Sequence, residues 1–560
     1  MSDNRNIAAM LRQRATEQPD AVAFRFMKPH AGPGHPQPRT EIRYGELIAA
    51  ADRYAHGFAK AGITRGMRTL VLASPSLDFY AFMFGLFELG AIPVFLDPGM
   101  GVKNVLKCIE QNKPEAMVAL SAIHAVACFA RKPFANVRIN ITVGSRWFWG
   151  GHTLQQIYEQ GGDTPWDLPH FEPEEEAAII FTSGSTGPPK GVSFRHGAFH
   201  EVTTNIGQMF GYGPGDVHME AFASFVFFDA CLGMTTVVPD ANLTKLAGAD
   251  PAVFLRAIQE QHCNSAFASP IVWAKLTRHC EVIDEALPSL ERAVTTGAPI
   301  HADMHRRFHA LVGPSVTLHT PYGATESLTV SSFDSRRILA ETWADTAKGA
   351  GTCVGMPVPG ADVYIIGVTE DPIPTWDDSL MLPAGEIGEI TVGSGVASPE
   401  YKEHPEANAL AKIQQGERIL HRMGDIGYLD EQGRLWFCGR KSHRIETPSG
   451  LVPAVPVENI VNEHPAVFRS ALVGLGARGH EVPVLLVELE QGHQWSDTLA
   501  SELRTRLEGT RWEGVAAAME PYQGFPVDPR HNSKIRREVL KIWAETRFAD
   551  AMPKLEVKRP

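Results

Sequence analysis

The sequence predicts an α/β protein with a large amino-terminal domain of mixed and parallel sheets covered by helices, followed by a small, mobile α+β domain. Three observations carry that expectation. From about residue 40 to 440, short β-branched or apolar runs alternate with amphipathic ones, the pattern of strands feeding helices that pack over a largely parallel sheet. The chain has 560 residues, 44% apolar and 21% charged, which is ordinary globular composition and allows two or three domains. Around Gly439 the texture changes to a dense polar run, Arg440-Lys441-Ser442-His443-Arg444, and what remains suffices only for a small unit. The boundary is therefore placed between residues 1–439 and 440–560.

Taken in chain order, the amino terminus lacks the basic start and apolar run of a secretory signal. Runs at Arg68–Leu72, Ala116–Ala119, Val137–Val143, Ala177–Phe181 and Val316–His319 read as buried strands. The most apolar stretch, Phe79 to Leu96, is interrupted by Glu88, Gly90 and Pro93 and is too short for the roughly 20 apolar residues of a membrane span. Phe79, Phe82, Met83, Leu86 and Phe87 recur at helical spacing, so it reads as a helix running into the strand Ala91 to Leu96. Leu429 to Leu435 reads as a hairpin. Gly474-Leu475-Gly476-Ala477-Arg478-Gly479 matches a dinucleotide fingerprint letter for letter. The apolar run Val482 to Val487 follows it where a helix should support the pyrophosphate, so it is read as a hairpin connection.

Fifty-two Lys+Arg against 64 Asp+Glu gives a net charge of −12. No chain-wide positive field is available for a phosphate backbone, which argues against nucleic acid as a partner. The seven cysteines are scattered from Cys108 to Cys438 without a Cys-x-x-Cys pair. They read as buried thiols of a reducing compartment, and the chain is expected in the cytoplasm.

Four motifs carry chemistry. In Ile179 to Gly191 an apolar strand runs into Thr182-Ser183-Gly184-Ser185-Thr186-Gly187 and then Lys190, a bare-backbone concavity of N–H and O–H donors with a cation beside it. That composition cradles phosphate, and Pro189 excludes the Walker A pattern. Thr320-Pro321-Tyr322-Gly323-Ala324-Thr325-Glu326-Ser327 supplies a carboxylate for the Mg²⁺ that a polyphosphate requires, a hydroxyl donor and a stacking face; alone it also reads as a common turn. Met423-Gly424-Asp425-Ile426-Gly427-Tyr428 places an Asp able to accept both hydroxyls of a ribose, or merely a turn Asp. Pro529 to Arg537 is a basic loop opening a carboxy-terminal helix, or a solvated charge run.

In this order the four resemble the adenylate-forming superfamily of acyl-CoA synthetases, peptide-synthetase adenylation domains and luciferases. The resemblance implies carboxylate attack on the α-phosphorus of ATP, then capture of the acyl-adenylate by an acceptor. Residue by residue it implies that Thr182 to Lys190 form the phosphate loop, Gly297-Ala298-Pro299 the adenine-side loop, and Tyr322, Thr325 and Glu326 the adenine, phosphate and Mg²⁺ positions. Asp425 would be the ribose ligand, Arg440 its partner and Lys534 the adenylation lysine, whose charge offsets that developing at the α-phosphate. Ser442 falls at the hinge position, usually Asp or Lys. The loop that admits an acceptor's pantetheine is replaced by the longer His443 to Gly450 with Glu446 in it, and Asn532-Ser533 precedes the lysine where Gly is usual.

These departures, with His421 to Asp425, Ala350 to Gly355 and Phe525 to Asn532, are similar to the β-lactone synthetases of bacterial long-chain olefin biosynthesis. There the substrate is a 2-alkyl-3-hydroxyalkanoic acid whose own 3-hydroxyl captures the adenylate. The resemblance implies ATP and Mg²⁺ as cofactors, a long-chain hydroxy acid as substrate, and association with other olefin-pathway enzymes. Ala221 to Met234 places Phe222, Phe225, Phe227 and Phe228 where the family builds its acyl pocket, at about 0.8 kcal/mol per methylene buried. Plain core packing is the competing reading. Phe228-Asp229-Ala230 also matches the peptide-synthetase segment whose Asp holds an amino group, so Asp229 is counted in the pocket and amino-acid activation stays open. A long-chain acyl-CoA synthetase or acyl-AMP ligase, and a non-catalytic nucleotide-binding member of an assembly, complete the alternatives.

Overall fold

The computed structural model describes residues 4–96, 98–182, 189–243, 245–527 and 534–549. Two of its sheets stack strand after helix after strand. One orders Tyr401–Lys402, Lys190–Arg195, Glu176–Thr182, Ile92–Phe95, Arg68–Leu72, Ala116–Leu120, Ile139–Val143 and His152–Thr153; it is parallel except where Lys190–Arg195 folds back on Glu176–Thr182 and Tyr401–Lys402 pairs with it. The other runs Thr317–His319, Arg292–Val294, Ser265–Phe267, Val217–Glu220, Thr235–Val238, Val22–Gly32 and His35–Arg43, parallel apart from the terminal hairpin. The expected strands are all found, but three start later: Ala91 N is bonded to Leu86 O at 3.0 Å at the helix end, so that strand begins at Ile92. Val137 bonds back to Phe134 O at 3.0 Å in a turn, so its strand begins at Ile139, and Val316 is likewise held by Gly313 O.

A third sheet departs from the parallel expectation. Its strands, from Tyr322–Ala324 through Leu435–Arg440, pair only antiparallel. Neighbouring strands joined by short turns need no crossover helix, which is why the strand-helix alternation fades there. The expected hairpin about Leu429 to Leu435 belongs to it.

The helix Leu77–Leu89 lies between the first two sheets and all its residues are buried, so it is apolar on every side. Ser76 accepts from Phe79 N at 3.1 Å to start it. Gly90, at φ +76°, ends it, and a Cβ there would stand 2.2 Å from Phe171. Its two acids differ: Asp78 accepts from Tyr54 Oη at 2.7 Å, whereas Glu88 lies 2.6 Å from Arg12 and burial still pushes its carboxyl up to about 8. Removing a ring such as Phe82 from this layer should cost about 3–5 kcal/mol.

Beyond Ile445 the chain builds cores of its own. A hairpin, Ile445–Thr447 with Gly450–Val452, leads into the three-stranded sheet Val467–Leu475, Val482–Leu489 and Ala518–Pro521. Helices Ala454–Asn462 and Asp497–Leu507 cover one side and Arg537–Arg547 the other. The glycine-rich decoy is the connection between the first two of these strands, which pair antiparallel as the pattern of residues predicts. Six of the cysteines are buried thiols; Cys128, expected to be buried, is half-exposed near the end of helix Ser121–Phe129. Among the described residues no helix is long and apolar enough to cross a membrane.

Candidate active site

The antiparallel sheet brings motifs distant in sequence to one edge. Ala324 pairs with Ser327, so Thr325 and Glu326 occupy the two turn positions of a tight hairpin. Gly323 is required there, because a Cβ would stand 2.8 Å from Ser327 O across the hairpin. Asp425 and Arg440 lie opposite each other on adjacent strands. Arg440 Nη1 reaches Asp425 Oδ1 at 2.9 Å, and Tyr322 Oη donates to Oδ2 at 2.6 Å. Burial pushes the Asp425 carboxyl up; Arg440, the Tyr322 hydroxyl and the Lys534 ammonium pull it back toward the charged form. Lys534, a residue of the small unit, therefore brings its charge to this carboxylate.

The loop Gly297-Ala298-Pro299 is joined to the same edge: Thr296 Oγ1 donates to Pro321 O at 2.6 Å, and Thr295 N to His319 O at 3.0 Å. Gly297 turns at φ +100°, a conformation that favours glycine. Of the expected phosphate loop, the Thr182 side chain and residues 183–188, which include Ser183, Gly184, Ser185, Thr186 and Gly187, lie outside the described residues. Its frame is described: Thr182 and Lys190 face each other across antiparallel strands.

Lys190 is half-buried, with Nζ 4.7 Å from the centre of the Tyr401 ring. Burial lowers its pKa, and the Glu326 charge opposes that shift. Tyr401 Oη donates to Glu326 Oε1 at 2.8 Å. Lys412, buried beside the same ring, donates to Ser398 O at 2.5 Å; burial pushes its pKa down to about 8 against the pull of Glu326. Sequence reasoning missed Tyr401 and Lys412. Neither belongs to a motif: the pairing of the two-residue strand Tyr401–Lys402 with Lys190–Arg195 puts Tyr401 here, and the pairing of Lys412–Gln415 with Arg418–Leu429 puts Lys412 here.

A divalent cation fits the donor set. The Glu326 carboxylate is a hard oxygen donor at an open turn, and among the described residues Tyr401 is its only side-chain hydrogen-bond partner, which leaves Oε2 available.

The aromatic segment divides. Phe227 is enclosed by Phe79, Tyr80, Phe84 and Phe87, and Phe228 stacks on Phe199 with centres 4.5 Å apart. Both pack into the core. Phe225 is half-buried against Phe267 at 4.8 Å. Asp229 is buried, takes a bond from Thr236 Oγ1 at 3.3 Å, and lies with His218 and Glu220 in one group whose ligand atoms fall within 4.8 Å. Burial pushes the Asp229 carboxyl up to about 8. Ser442 is exposed in the single 3₁₀ turn Lys441–His443 that follows Arg440.

Parallel sheets of this order, an antiparallel sheet carrying Tyr322, Glu326, Asp425 and Arg440, and a lysine delivered by a small second unit define an adenylate-forming ligase, a class that uses ATP. The chain belongs to the AMP-binding enzyme family, whose model matches residues 11–401. It is 40% identical over 545 residues to an olefin beta-lactone synthetase of Stenotrophomonas maltophilia, covering 96% of this chain and 98% of that protein. It is 39% identical to a protein of the same name from Xanthomonas campestris, over 96% and 97% of the two chains. Among solved structures, the anthranilate CoA ligase AuaEII in complex with anthranoyl-AMP shares the fold, with a TM-score of 0.78 at 18% identity over 98% of this chain and 99% of that one.

Proposed function

We propose that this enzyme activates a long-chain 2-alkyl-3-hydroxyalkanoic acid with ATP and closes it to a β-lactone, releasing AMP and pyrophosphate. The observation that carries the reading is identity of 39–40% along nearly the whole chain with proteins named olefin beta-lactone synthetase. In the first step a carboxylate oxygen of the acid attacks the α-phosphorus of ATP and pyrophosphate leaves. In the second the 3-hydroxyl oxygen attacks the acyl carbonyl carbon, the bond to AMP breaks, and the hydroxyl proton is lost to a base.

The chain's residues divide this work. Thr182 to Lys190 hold the phosphates, with Thr325 donating a hydroxyl. The Tyr322 ring and Gly297-Ala298-Pro299 take the adenine. Asp425 accepts from the ribose, and the Arg440 guanidinium beside it opposes the upward push of burial on its carboxyl. Lys534 supplies positive charge where negative charge gathers in the first step, which lowers its barrier. Glu326 would hold Mg²⁺, which when bound neutralises charge on the phosphates. Phe225 and the neighbouring aromatic wall take the alkyl arms.

Intramolecular capture is favoured because the 3-hydroxyl is tethered to the activated carbon, and a fixed chain gives it a high effective concentration. The entry loop supports a reaction without a thiol acceptor. Glu446 pairs with Arg444 at 2.7 Å and Arg478 at 3.3 Å, so the hairpin Ile445–Val452 is cross-linked by charge where a pantetheine arm would pass. The test is product analysis with ATP, Mg²⁺ and the hydroxy acid. A β-lactone should form at a rate indifferent to coenzyme A. A thioester formed only with coenzyme A, equally from an acid without the 3-hydroxyl, would make the enzyme an acyl-CoA synthetase instead.

A further inference from the structure

We propose that Tyr401 is a positioning residue that couples the two charged groups of the nucleotide site, holding the Glu326 carboxylate by its hydroxyl and the Lys190 ammonium by its ring. The inference rests on the roles just given to Glu326 and Lys190. The phenol donates to Glu326 Oε1 at 2.8 Å, while Lys190 Nζ sits 4.7 Å from the ring centre. A second ammonium, that of Lys412, lies 5.2 Å from the same centre and is anchored on Ser398 O. The backbone enforces the arrangement. Tyr401 pairs with Val192 in the strand that Lys190 opens, and Ser398 N donates to Glu326 O at 2.7 Å. Residues 398–401 thus bind both the glutamate turn and the lysine strand.

The physical need is clear from the charges. Both ammoniums feel the Glu326 carboxylate. Left to itself, that carboxylate would close onto one of them, because opposite charges attract strongly in a half-buried site. An ion pair would engage the oxygens a hard cation needs. The Tyr401 hydroxyl satisfies Oε1 without supplying a charge, and the negative face of its ring gives the lysine another place to rest. Burial first, and Glu326 second, hold the phenol far above its ordinary pKa, so it keeps the proton it donates.

Tyr401→Phe and Tyr401→Leu separate the two contacts. The measurement is calorimetric ATP binding to the full chain, without metal and across a Mg²⁺ titration, on variants whose melting shows them folded. Tyr401→Phe keeps the ring, so metal-free ATP affinity should stay within twofold of wild type, while the Mg²⁺ needed for half-saturation of the nucleotide complex rises about tenfold, as expected for loss of one hydrogen bond to a charged group. Tyr401→Leu should show that shift and also lose about fivefold in metal-free ATP affinity, the effect of removing the cation–π contact. An unchanged Mg²⁺ titration in Tyr401→Phe overturns the proposal, as does an equal loss of metal-free affinity in both variants; if the leucine variant fails to fold, the phenylalanine variant alone decides. A wild-type protein that binds no ATP would instead overturn the proposed function, so the two failures are distinguishable.

Discussion

Asp425→Asn tests the centre of the site with almost no change in volume. Asp425 is 3% exposed and its carboxylate receives the Tyr322 hydroxyl at 2.6 Å and the Arg440 guanidinium at 2.9 Å. A hydrogen bond to a charged group contributes about 1.5–3 kcal/mol net, and the amide can replace only part of one of these two. The Arg440 side chain is 34% exposed, so solvent screens the ion pair and its share belongs at the low end. The folded state should therefore lose about 2–3 kcal/mol, or roughly 2–3 °C in melting temperature, since an unfolding entropy of about 2.1 cal/mol/K per residue gives a domain of some 440 residues about 1 °C per kcal/mol. If Asp425 also receives the ribose hydroxyls, a neutral amide with one acceptor oxygen sacrifices a further charge-assisted bond, and ATP affinity should fall about ten- to a hundredfold at 1.4 kcal/mol per decade. Melting and calorimetric ATP titration measure the two effects separately. A variant that loses the expected stability yet binds ATP within threefold of wild type would refute the ribose role and leave Asp425 a structural anchor for Tyr322 and Arg440.

Lys534→Ala should slow acid-dependent pyrophosphate release by a hundredfold or more while ATP still binds, since about 1.4 kcal/mol changes a rate tenfold and the charge counts most in the transition state; release within threefold of wild type would remove Lys534 from the step. Ser442→Pro fixes φ near −65° and disfavours the helical backbone that Lys441 takes in the 3₁₀ turn, so it should impair turnover more than ATP binding; equal turnover would mean that no motion at this residue is needed. Asp229 has a folded-state pKa of about 8 against an ordinary 3.8, so the folded chain binds more protons than the unfolded one in that window and stability falls as pH rises through it. Asp229→Asn removes that titration, and the melting temperature of the variant relative to wild type should be higher at pH 8.5 than at pH 5; a pH-independent difference would show that Asp229 does not titrate in this range.

The strands at Arg68–Leu72, Ala116–Leu120 and Glu176–Thr182, the buried helix Leu77–Leu89 and the antiparallel connection at Gly474–Gly479 were determined by sequence alone, because burial on both faces and turn chemistry leave local signatures that no distant contact need supply. The local geometry of the motifs proposed for the nucleotide site was legible for a related reason. Glu326 must stand in a tight hairpin after Gly323, and Asp425 must stand across from Arg440, so residue type and spacing encode the local geometry. Tertiary structure alone decided the rest. Tyr401 reaches Glu326, 75 residues away, only because a two-residue strand pairs with Lys190–Arg195. Phe227 faces core and Phe225 a half-buried wall, though both sit in one apolar run, because the neighbouring helices set the direction of each ring. Sequence patterns record what a residue needs from its near neighbours; which distant group it meets is fixed by the packing of sheets, where a short pairing can outweigh any local preference.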